Sequence, residues 1–107
     1  MSLESDEERW GVWMVQARHF AKRENYTDAV ARMRLVRESI QKSLASQTDP
    51  ARRARTERQL ARAEELLADL QSQLAAWRSA IAARRQQTID QAGEEMARPL
   101  PLAADQR

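Results

Sequence analysis

The sequence has no cysteine, and its 107 residues include only two glycines, three prolines, three tryptophans, one tyrosine and one phenylalanine. The absence of cysteine excludes disulfide bonds, thiol catalysis and cysteine-ligated metals. No apolar run approaches the ~20 residues needed to cross a bilayer. β-branched residues are few and do not alternate with polar ones, so no strand is predicted. Alanine, leucine, arginine, glutamate and glutamine dominate, which indicates an all-α protein.

The charges are unevenly distributed along the chain, although the net charge is only +2. Residues 1–8 are acidic, residues 9–62 carry most of the lysine and arginine, and residues 63–107 are weakly acidic. A net charge this small does not by itself imply a polyanionic partner. Because the first ten residues lack an apolar segment, they do not match a secretion signal, and we expect a soluble cytoplasmic protein.

Two amphipathic helices are predicted in the first half of the chain, over about residues 6–23 and 27–46. Ser5 followed by Glu8 fits a capping box at the start of the first helix. Apolar residues recur three or four positions apart in both: Trp10, Trp13, Met14, Ala17, Phe20 and Ala21 in the first, and Ala29, Met33, Val36, Ile40 and Leu44 in the second. This spacing places the apolar residues of each helix on one face.

The stretch ENYTDAVARM, residues 24–33, is interpreted as a tight corner between these helices. Asn25 or Thr27 can cap the second helix, because a short polar side chain satisfies its unpaired N–H groups. A loop this short requires the two helices to run antiparallel. The residues expected to pack the resulting hairpin are Trp13, Phe20, Tyr26, Ala29, Met33 and Val36.

A third and much longer helix is predicted over residues 50–92. Asp49 as N-cap and a proline in the first turn form a strong start signal, and no breaker follows until Gly93. Apolar residues repeat in the a/d heptad pattern of a coiled coil: Leu60, Ala63, Leu67, Leu70, Leu74, Trp77 and Ile81. We therefore expect an antiparallel three-helix bundle in one domain, residues 1–92, and a flexible tail over residues 93–107.

The length of the third helix leads to a prediction about assembly. The second helix can cover it only to about Leu70, so the apolar residues that follow would project beyond this cover. Burying each such side chain is worth ~1.5–3 kcal/mol. No glycine or proline lies near residues 78–79, so the third helix is not expected to break there and fold back on the bundle. The residues expected to carry self-association in a homodimer are Leu70, Leu74, Trp77 and Ile81. Trp10 is expected to be partly exposed near its helix start and to bind a partner.

The corner resembles a tetratricopeptide-type hairpin. It shares the spacing of five packing residues with that family: Trp13, Ala17, Phe20, Tyr26 and Ala29. The usual glycine before the corner is Glu24 here, and only one repeat is present, whereas a solenoid needs about three. Residues 10–70 are also similar to microtubule-interacting-and-transport (MIT) three-helix modules, whose third helix carries a pattern like RAEEL at residues 62–66. This resemblance implies a groove, often between helices 2 and 3, that accepts an amphipathic helix of a partner protein.

Catalytic or metal-binding chemistry is not indicated by the sequence. His19 is the only histidine and its neighbours are basic, so neither a catalytic triad nor a set of three or four metal ligands can be assembled around it. The adjacent pairs Glu64-Glu65 and Glu94-Glu95 point in different directions on a helix and fit solvated faces. The two glycines are isolated, which excludes a glycine-rich phosphate loop. We therefore expect no enzymatic activity, no cofactor and no metal.

Three functional hypotheses follow. The leading one is a non-enzymatic helical adaptor that self-associates and offers a groove to a partner helix. The alternative is an accessory nucleic-acid-binding protein in which Arg55, Arg58 and Arg62 share a helix face that contacts phosphates. Acidic residues Glu57 and Glu65 interleave with this face, and no base-reading motif is evident. The third hypothesis is a subunit of a larger secretion or phage assembly.

Overall fold

Three α-helices and no strand make up residues 3–97, the part of the chain that the computed structural model describes. The helices are α1 Leu3–Lys22, α2 Tyr26–Ser46 and α3 Pro50–Ala97. The prediction of an all-α protein with a long third helix is confirmed. The chain divides into two compact units, Met1–Ala75 and Ala76–Arg107, so the second part of α3 belongs to the second unit.

Two observed helix ends differ from the predicted ones. α1 already includes Ser5, so the capping box expected there is wrong. α3 continues through Gly93 to Ala97 instead of ending at residue 92, and its last turn is therefore not part of a tail. A single glycine lowers helix stability by only ~1 kcal/mol relative to alanine, which is too little to stop a helix. The rest of the predicted tail, residues 98–107, lies outside the described residues.

The chain leaves α1 through a Schellman motif, in which a residue in the left-handed conformation closes the helix. The Asn25 N–H donates to the Phe20 carbonyl (2.8 Å), and the Glu24 N–H donates to the Ala21 carbonyl (3.0 Å). Glu24 is the left-handed residue, with φ of 61°. Asn25 directly precedes α2 as predicted, but its side chain makes no capping bond to the backbone and donates to Asp28 (2.6 Å) instead. The corner is therefore closed by backbone hydrogen bonds at the expense of strain at Glu24.

Asp49 caps α3 as predicted, since its Oδ2 accepts a hydrogen bond from the Arg52 N–H (3.1 Å). Arg53 then ties α3 to the end of α2. Its guanidinium donates to the carbonyls of Leu44 (3.0 Å) and Gln47 (3.3 Å). The Leu44 carbonyl also accepts a hydrogen bond from the Gln47 N–H (3.2 Å), so Arg53 adds to the hydrogen bonds at the C-terminus of α2, where the last carbonyls have no partner within the helix.

The core of the first unit takes one face from α1 and one from α2. Four of the five residues of the stripe predicted in α2 are buried, Ala29, Met33, Val36 and Ile40, together with the neighbouring Val30, whereas Leu44 is half-buried. In α1 the expectation that Trp10 is partly exposed is wrong, because Trp10 is only 1% exposed and its Nε1 donates to Ser39 Oγ (2.8 Å). Trp10 lies seven positions before the buried Ala17, on the same helix face. Trp13 is half-buried, and the Arg9 guanidinium lies 5.9 Å from its ring centroid.

The first part of α3 completes this core. Its buried residues are Thr56, Ala63, Leu67, Leu70 and Leu74. The expectation that Leu74 projects beyond the bundle is wrong, because only 8% of it is exposed. Arg55 donates to Glu7 Oε2 (2.7 Å), which places the starts of α1 and α3 side by side. Since both helices rise ~1.5 Å per residue, Lys22 at the end of α1 is level with Leu70.

Thr56 is the only polar side chain among the buried ones in residues 5–97. Its Oγ1 lies 2.8 Å from Gln47 Oε1 and 3.0 Å from the Arg52 carbonyl, so the hydroxyl has acceptors on the residue that follows α2 and on α3. Gln47 in turn donates to Ser43 Oγ (2.9 Å). A buried hydroxyl is tolerated when it is hydrogen-bonded, and here it links the two helices next to their corner.

Replacing Glu24 by glycine is expected to stabilise the protein, because glycine adopts φ of 61° without Cβ strain. The left-handed conformation costs ~1–2 kcal/mol for other residues, while the extra freedom of glycine in the unfolded chain removes ~0.4–1 kcal/mol of that gain. The Tm from thermal denaturation followed by circular dichroism should therefore rise. Glu24→Ala is the matched control, since it removes the carboxylate but keeps the Cβ. An equal rise in both variants would assign the effect to charge and contradict this account.

Candidate protein-interaction surfaces

A groove of about 600 Å³ runs between α1 and α3 on the surface of the first unit. Its walls are formed by Gly11, Met14, Val15 and Arg18 of α1 and by Arg62, Glu65, Leu66 and Asp69 of α3. Glu7, Glu8 and Gln59 continue it toward the starts of both helices. This surface is named the α1/α3 groove.

Gly11 lies in the α1 wall of this groove beside two exposed valines. Val12 is 55% exposed and Val15 is 51% exposed. A Cβ on Gly11 would meet nothing within 4 Å, so packing within the chain does not require glycine there. Glycine in a helix interior is destabilising by ~0.5–1 kcal/mol relative to alanine. α1 therefore presents an apolar strip with a gap at its centre, a shape that can receive a side chain from another helix.

Charges of both signs surround the groove. Arg18, Arg62 and Glu65 lie along it, and none of the three has an ion-pair partner within 4.0 Å in the described part of the chain. Glu7 differs because its Oε2 is paired with Arg55 and its Oε1 is buried without a hydrogen-bond partner in residues 3–97. The middle of the groove can thus pair with a charged ligand, whereas Glu7 holds α1 against α3.

The second unit presents a partly apolar face on α3. At about 100° per residue, a set of apolar residues falls within about 120° of the helix circumference. The set consists of Trp77, Ile81, Ile89, Ala92 and Met96, and the same sector also contains Arg78, Arg85, Thr88 and Glu95. Ile89 is 62% exposed and Met96 is 87% exposed, while Trp77 and Ile81 are half-buried. This surface is named the 77–96 face.

The charged residues of this second unit are separated along the helix. Arg78, Arg84 and Arg85 precede Gln86, and Asp90, Glu94 and Glu95 follow it. Within residues 76–97 none of these side chains forms an ion pair within 4.0 Å. No arginine of this segment has an acidic residue three or four positions away, the spacing at which helical side chains meet. The helix therefore has a basic half followed by an acidic half, without internal compensation.

The structure separates the residues that were predicted to bind partners or to self-associate. Trp10, Leu70 and Leu74 are buried in the first unit, so the prediction that they lie at a binding surface is wrong. Trp77 and Ile81 belong to the second unit and lie on the 77–96 face. Among the residues predicted to pack the hairpin, Ala29, Met33 and Val36 are buried, and Trp13, Phe20 and Tyr26 are half-buried.

The arginines of the alternative phosphate site differ in their contacts. Arg55 is held by Glu7 at 2.7 Å. Arg58 is exposed, and Arg62 lines the α1/α3 groove. The neighbouring Arg53 is engaged by the carbonyls at the end of α2. Phosphate binding by these residues stays a prediction, and it would rest mainly on Arg58 and Arg62.

Five exposed apolar residues were missed in the sequence: Val12, Val15, Leu35, Ile89 and Met96. Ile89 and Met96 are seven positions apart, which is a helical repeat, but the helix was predicted to end between them at Gly93. Val12 and Val15 are three positions apart and could have been found as a second apolar strip on α1. Helical periodicity did not single out this strip, because the other side of the same helix is also apolar.

No family model matches this chain, and comparison with curated proteins and with solved structures gives no match either. The resemblance to tetratricopeptide and MIT modules therefore stays a prediction. In residues 3–97, no three His, Asp or Glu side chains lie close enough together to hold a metal ion. None of the helices described combines the length and the apolar character that crossing a membrane requires.

Replacing Gly11 by alanine is expected to stabilise the isolated protein by ~0.5–1 kcal/mol, because the new methyl group meets open space and alanine favours the helix. Chemical denaturation should show a higher midpoint with an unchanged slope. Ala31→Gly is the matched control, since Ala31 is an exposed residue inside α2 and should lose a similar amount. A Gly11→Ala variant that is less stable than the original chain would show that Gly11 packs against something within the protein.

Proposed function

We propose that this protein is a non-enzymatic helical interaction module that forms a homodimer through the 77–96 face. The observation that carries the proposal is the exposure of Ile89 and Met96 on one side of α3. Single exposed apolar residues are common on protein surfaces. Here they continue the helix side that also carries Ile81, and recurrence at helical spacing is typical of a helix that packs against another helix.

A second copy of the chain is the simplest cover for this face. In a two-fold contact the same residues are buried twice, so one sequence feature supplies both sides of the interface. Full burial of Ile89 or Met96 is worth ~1.5–3 kcal/mol for each side chain. The a/d heptad pattern does not extend past Ile81, because the next two positions are Arg84 and Thr88. The proposed contact is therefore the packing of one helix against another along a face that shifts gradually around the helix circumference. It lacks the long regular seam of a coiled coil.

The α1/α3 groove is proposed to accept an amphipathic helix from a partner protein. Its apolar centre contains Gly11, Val15 and Leu66, and Arg18 and Glu65 flank that centre with opposite charges. A matching helix would carry apolar residues at positions i, i+3 or i+4, and i+7, with both signs of charge beside them. The MIT-type resemblance implied a groove between helices 2 and 3, so this proposal moves the adaptor site to the other side of α3.

Exchanging Trp77 and Ile81 for alanine together should convert the homodimer into a monomer, since both side chains lie on the 77–96 face. A second variant, Ile89→Gln with Met96→Gln, should have the same effect. Because its side chains are exposed in the single chain, this variant leaves the core of the first unit untouched. Multi-angle light scattering over a concentration series measures the mass, and circular dichroism checks that the helices are retained.

The control for these variants is Ser79→Ala with Gln87→Ala. Both residues are exposed on the same helix but point away from the 77–96 face. This control should keep the dimer mass. A monomeric starting protein, or a dimer that survives both face variants, would show that the 77–96 face does not carry self-association.

A titration with duplex DNA at two salt concentrations separates this proposal from nucleic-acid binding. We expect no binding that depends steeply on salt, because Arg55 is already compensated by Glu7 and two arginines alone make few phosphate contacts. The matched variants are Arg58→Ala with Arg62→Ala, and Arg34→Ala as an exposed arginine elsewhere. Salt-dependent binding that the double variant abolishes and Arg34→Ala preserves would favour the nucleic-acid hypothesis.

A further inference from the structure

We infer that the partner helix of the α1/α3 groove carries both signs of charge, in opposite order on its two flanks. Counted from the starts of α1 and α3, the flank on α1 has basic residues first and acidic residues last, and the flank on α3 has the reverse order. This inference rests on the groove proposed above as a site for a partner helix, and it adds the chemistry of that helix. It is carried by the charge order of the two walls.

The α1 wall of the groove runs from acidic to basic. Glu8 lies near its start and Arg18 near its end, with Gly11 and Val15 between them. At 100° per residue these four residues fall within about 80° of the circumference of α1, so they share one side of the helix. Glu8 and Arg18 are both exposed, and neither forms an ion pair within 4.0 Å in the part of the chain that the structure describes. A helix packed along this wall therefore meets a negative charge first and a positive charge last.

The α3 wall runs in the opposite order, from basic to acidic. Arg58 and Arg62 come first, and Glu65 and Asp69 follow. The four residues fall within about 60° of the circumference of α3, and all of them are exposed. Arg62, Glu65 and Asp69 line the groove, and Arg58 lies one turn before Arg62 on the same side. A helix packed along this wall meets positive charges first and negative charges last.

The two walls are aligned by the ion pair between Arg55 and Glu7, which are 48 positions apart. Because α1 and α3 rise equally per residue, each residue of α1 is level with the residue about 48 positions later in α3. Glu8 is then within two residues of the level of Arg58, and Arg18 is within one residue of the level of Glu65. Each end of the groove therefore carries one charge of each sign, on opposite walls. Glu8, Arg18, Arg58 and Glu65 are named the four groove charges.

This arrangement selects among the helices that could bind. A uniformly basic helix would face Arg58 at one end of the groove and Arg18 at the other. A uniformly acidic helix would face Glu8 and Glu65 in the same way, and like charges that face each other are unfavourable. A helix with one basic and one acidic residue at each end, on opposite flanks, meets an opposite charge at all four groove charges. Charge complementarity therefore defines the occupant as a helix with both signs of charge.

The inferred pattern suits the groove in either direction of the bound helix. Turning the helix end for end, with the same apolar seam in the groove, exchanges its flanks and reverses their charge order at once. Opposite charges therefore still meet at all four groove charges. Glu8 and Arg18 are ten positions apart, or ~15 Å. The seam between them would lie over Val15 and over the open space beside Gly11.

Two designed peptides test this inference. Both are helices of about 18 residues with the same composition and the same apolar seam at positions i, i+3 or i+4, and i+7. The matched peptide has the charge order inferred above, with lysine and glutamate as its charged residues. In the swapped peptide lysine and glutamate are exchanged on both flanks, which brings like charges together at all four groove charges in either direction. Fluorescence anisotropy with the full-length protein at low ionic strength measures both affinities.

The matched peptide should bind about tenfold or more tightly than the swapped one, because four exposed pairs of opposite charge become four pairs of like charge. Equal affinity of the two peptides would overturn the charge order and leave the groove as a site for a helix. No binding of either peptide would overturn the proposed groove and with it this inference.

Reversing the groove charges in the protein provides the converse test. The variant combines Glu8→Arg, Arg18→Glu, Arg58→Glu and Glu65→Arg, which exchanges the charge order on both walls and keeps the net charge at +2. All four residues are exposed, so the core of the first unit is untouched. This variant should bind the swapped peptide more tightly than the matched one, and circular dichroism checks that its helices are retained.

The control variant is Arg34→Glu with Glu64→Arg. It also keeps the net charge, and both residues are exposed outside the walls of the groove. The control should still prefer the matched peptide. If the variant with reversed groove charges keeps this preference as well, the peptides bind elsewhere and the inference is overturned.

Discussion

The structure depends on a mismatch in helix length. α1 and α2 contain 20 and 21 residues, whereas α3 contains 48. Two helices of that length can bury no more than about half of the third. The Glu7–Arg55 ion pair aligns the starts of α1 and α3, so the buried stripe of α3 runs out at Leu74, soon after the level at which α1 ends. From Ala75 to Ala97 no residue of α3 is fully buried.

Much of this fold could be predicted from the sequence, because local chemistry decides it. Asp49 followed by a proline starts a helix almost independently of context, and the 3.6-residue spacing in α2 identifies its buried face directly. Trp10 could not be assigned in the same way. Both Trp10 and Trp13 extend apolar stripes through Ala17, and the choice between them depends on Ser39 of another helix, which accepts the Trp10 hydrogen bond. Such a contact is not visible in the sequence of one helix.

The candidate surfaces were harder to predict than the core. The groove exists because α1 packs its Trp10 side against α2 and leaves its Gly11–Val15 side open, and helix periodicity does not reveal which side will be covered. At the other end of the chain, Gly93 was read as a helix end, although one glycine weakens a helix by only ~1 kcal/mol. That reading hid the relation between Ile89 and Met96, which becomes clear only when the helix is continuous to Ala97.

The two proposed surfaces lie in different units and use different residues, which has a consequence for affinity. A homodimer formed through the second unit would carry two α1/α3 grooves, one in each copy. A partner that presents two helices would then bind the second groove as an intramolecular step, and its overall affinity would exceed that of one groove without any additional contact. A shallow groove with few apolar residues gains most from this arrangement. In the proposed adaptor, dimerisation would therefore strengthen the binding of a partner that presents two helices.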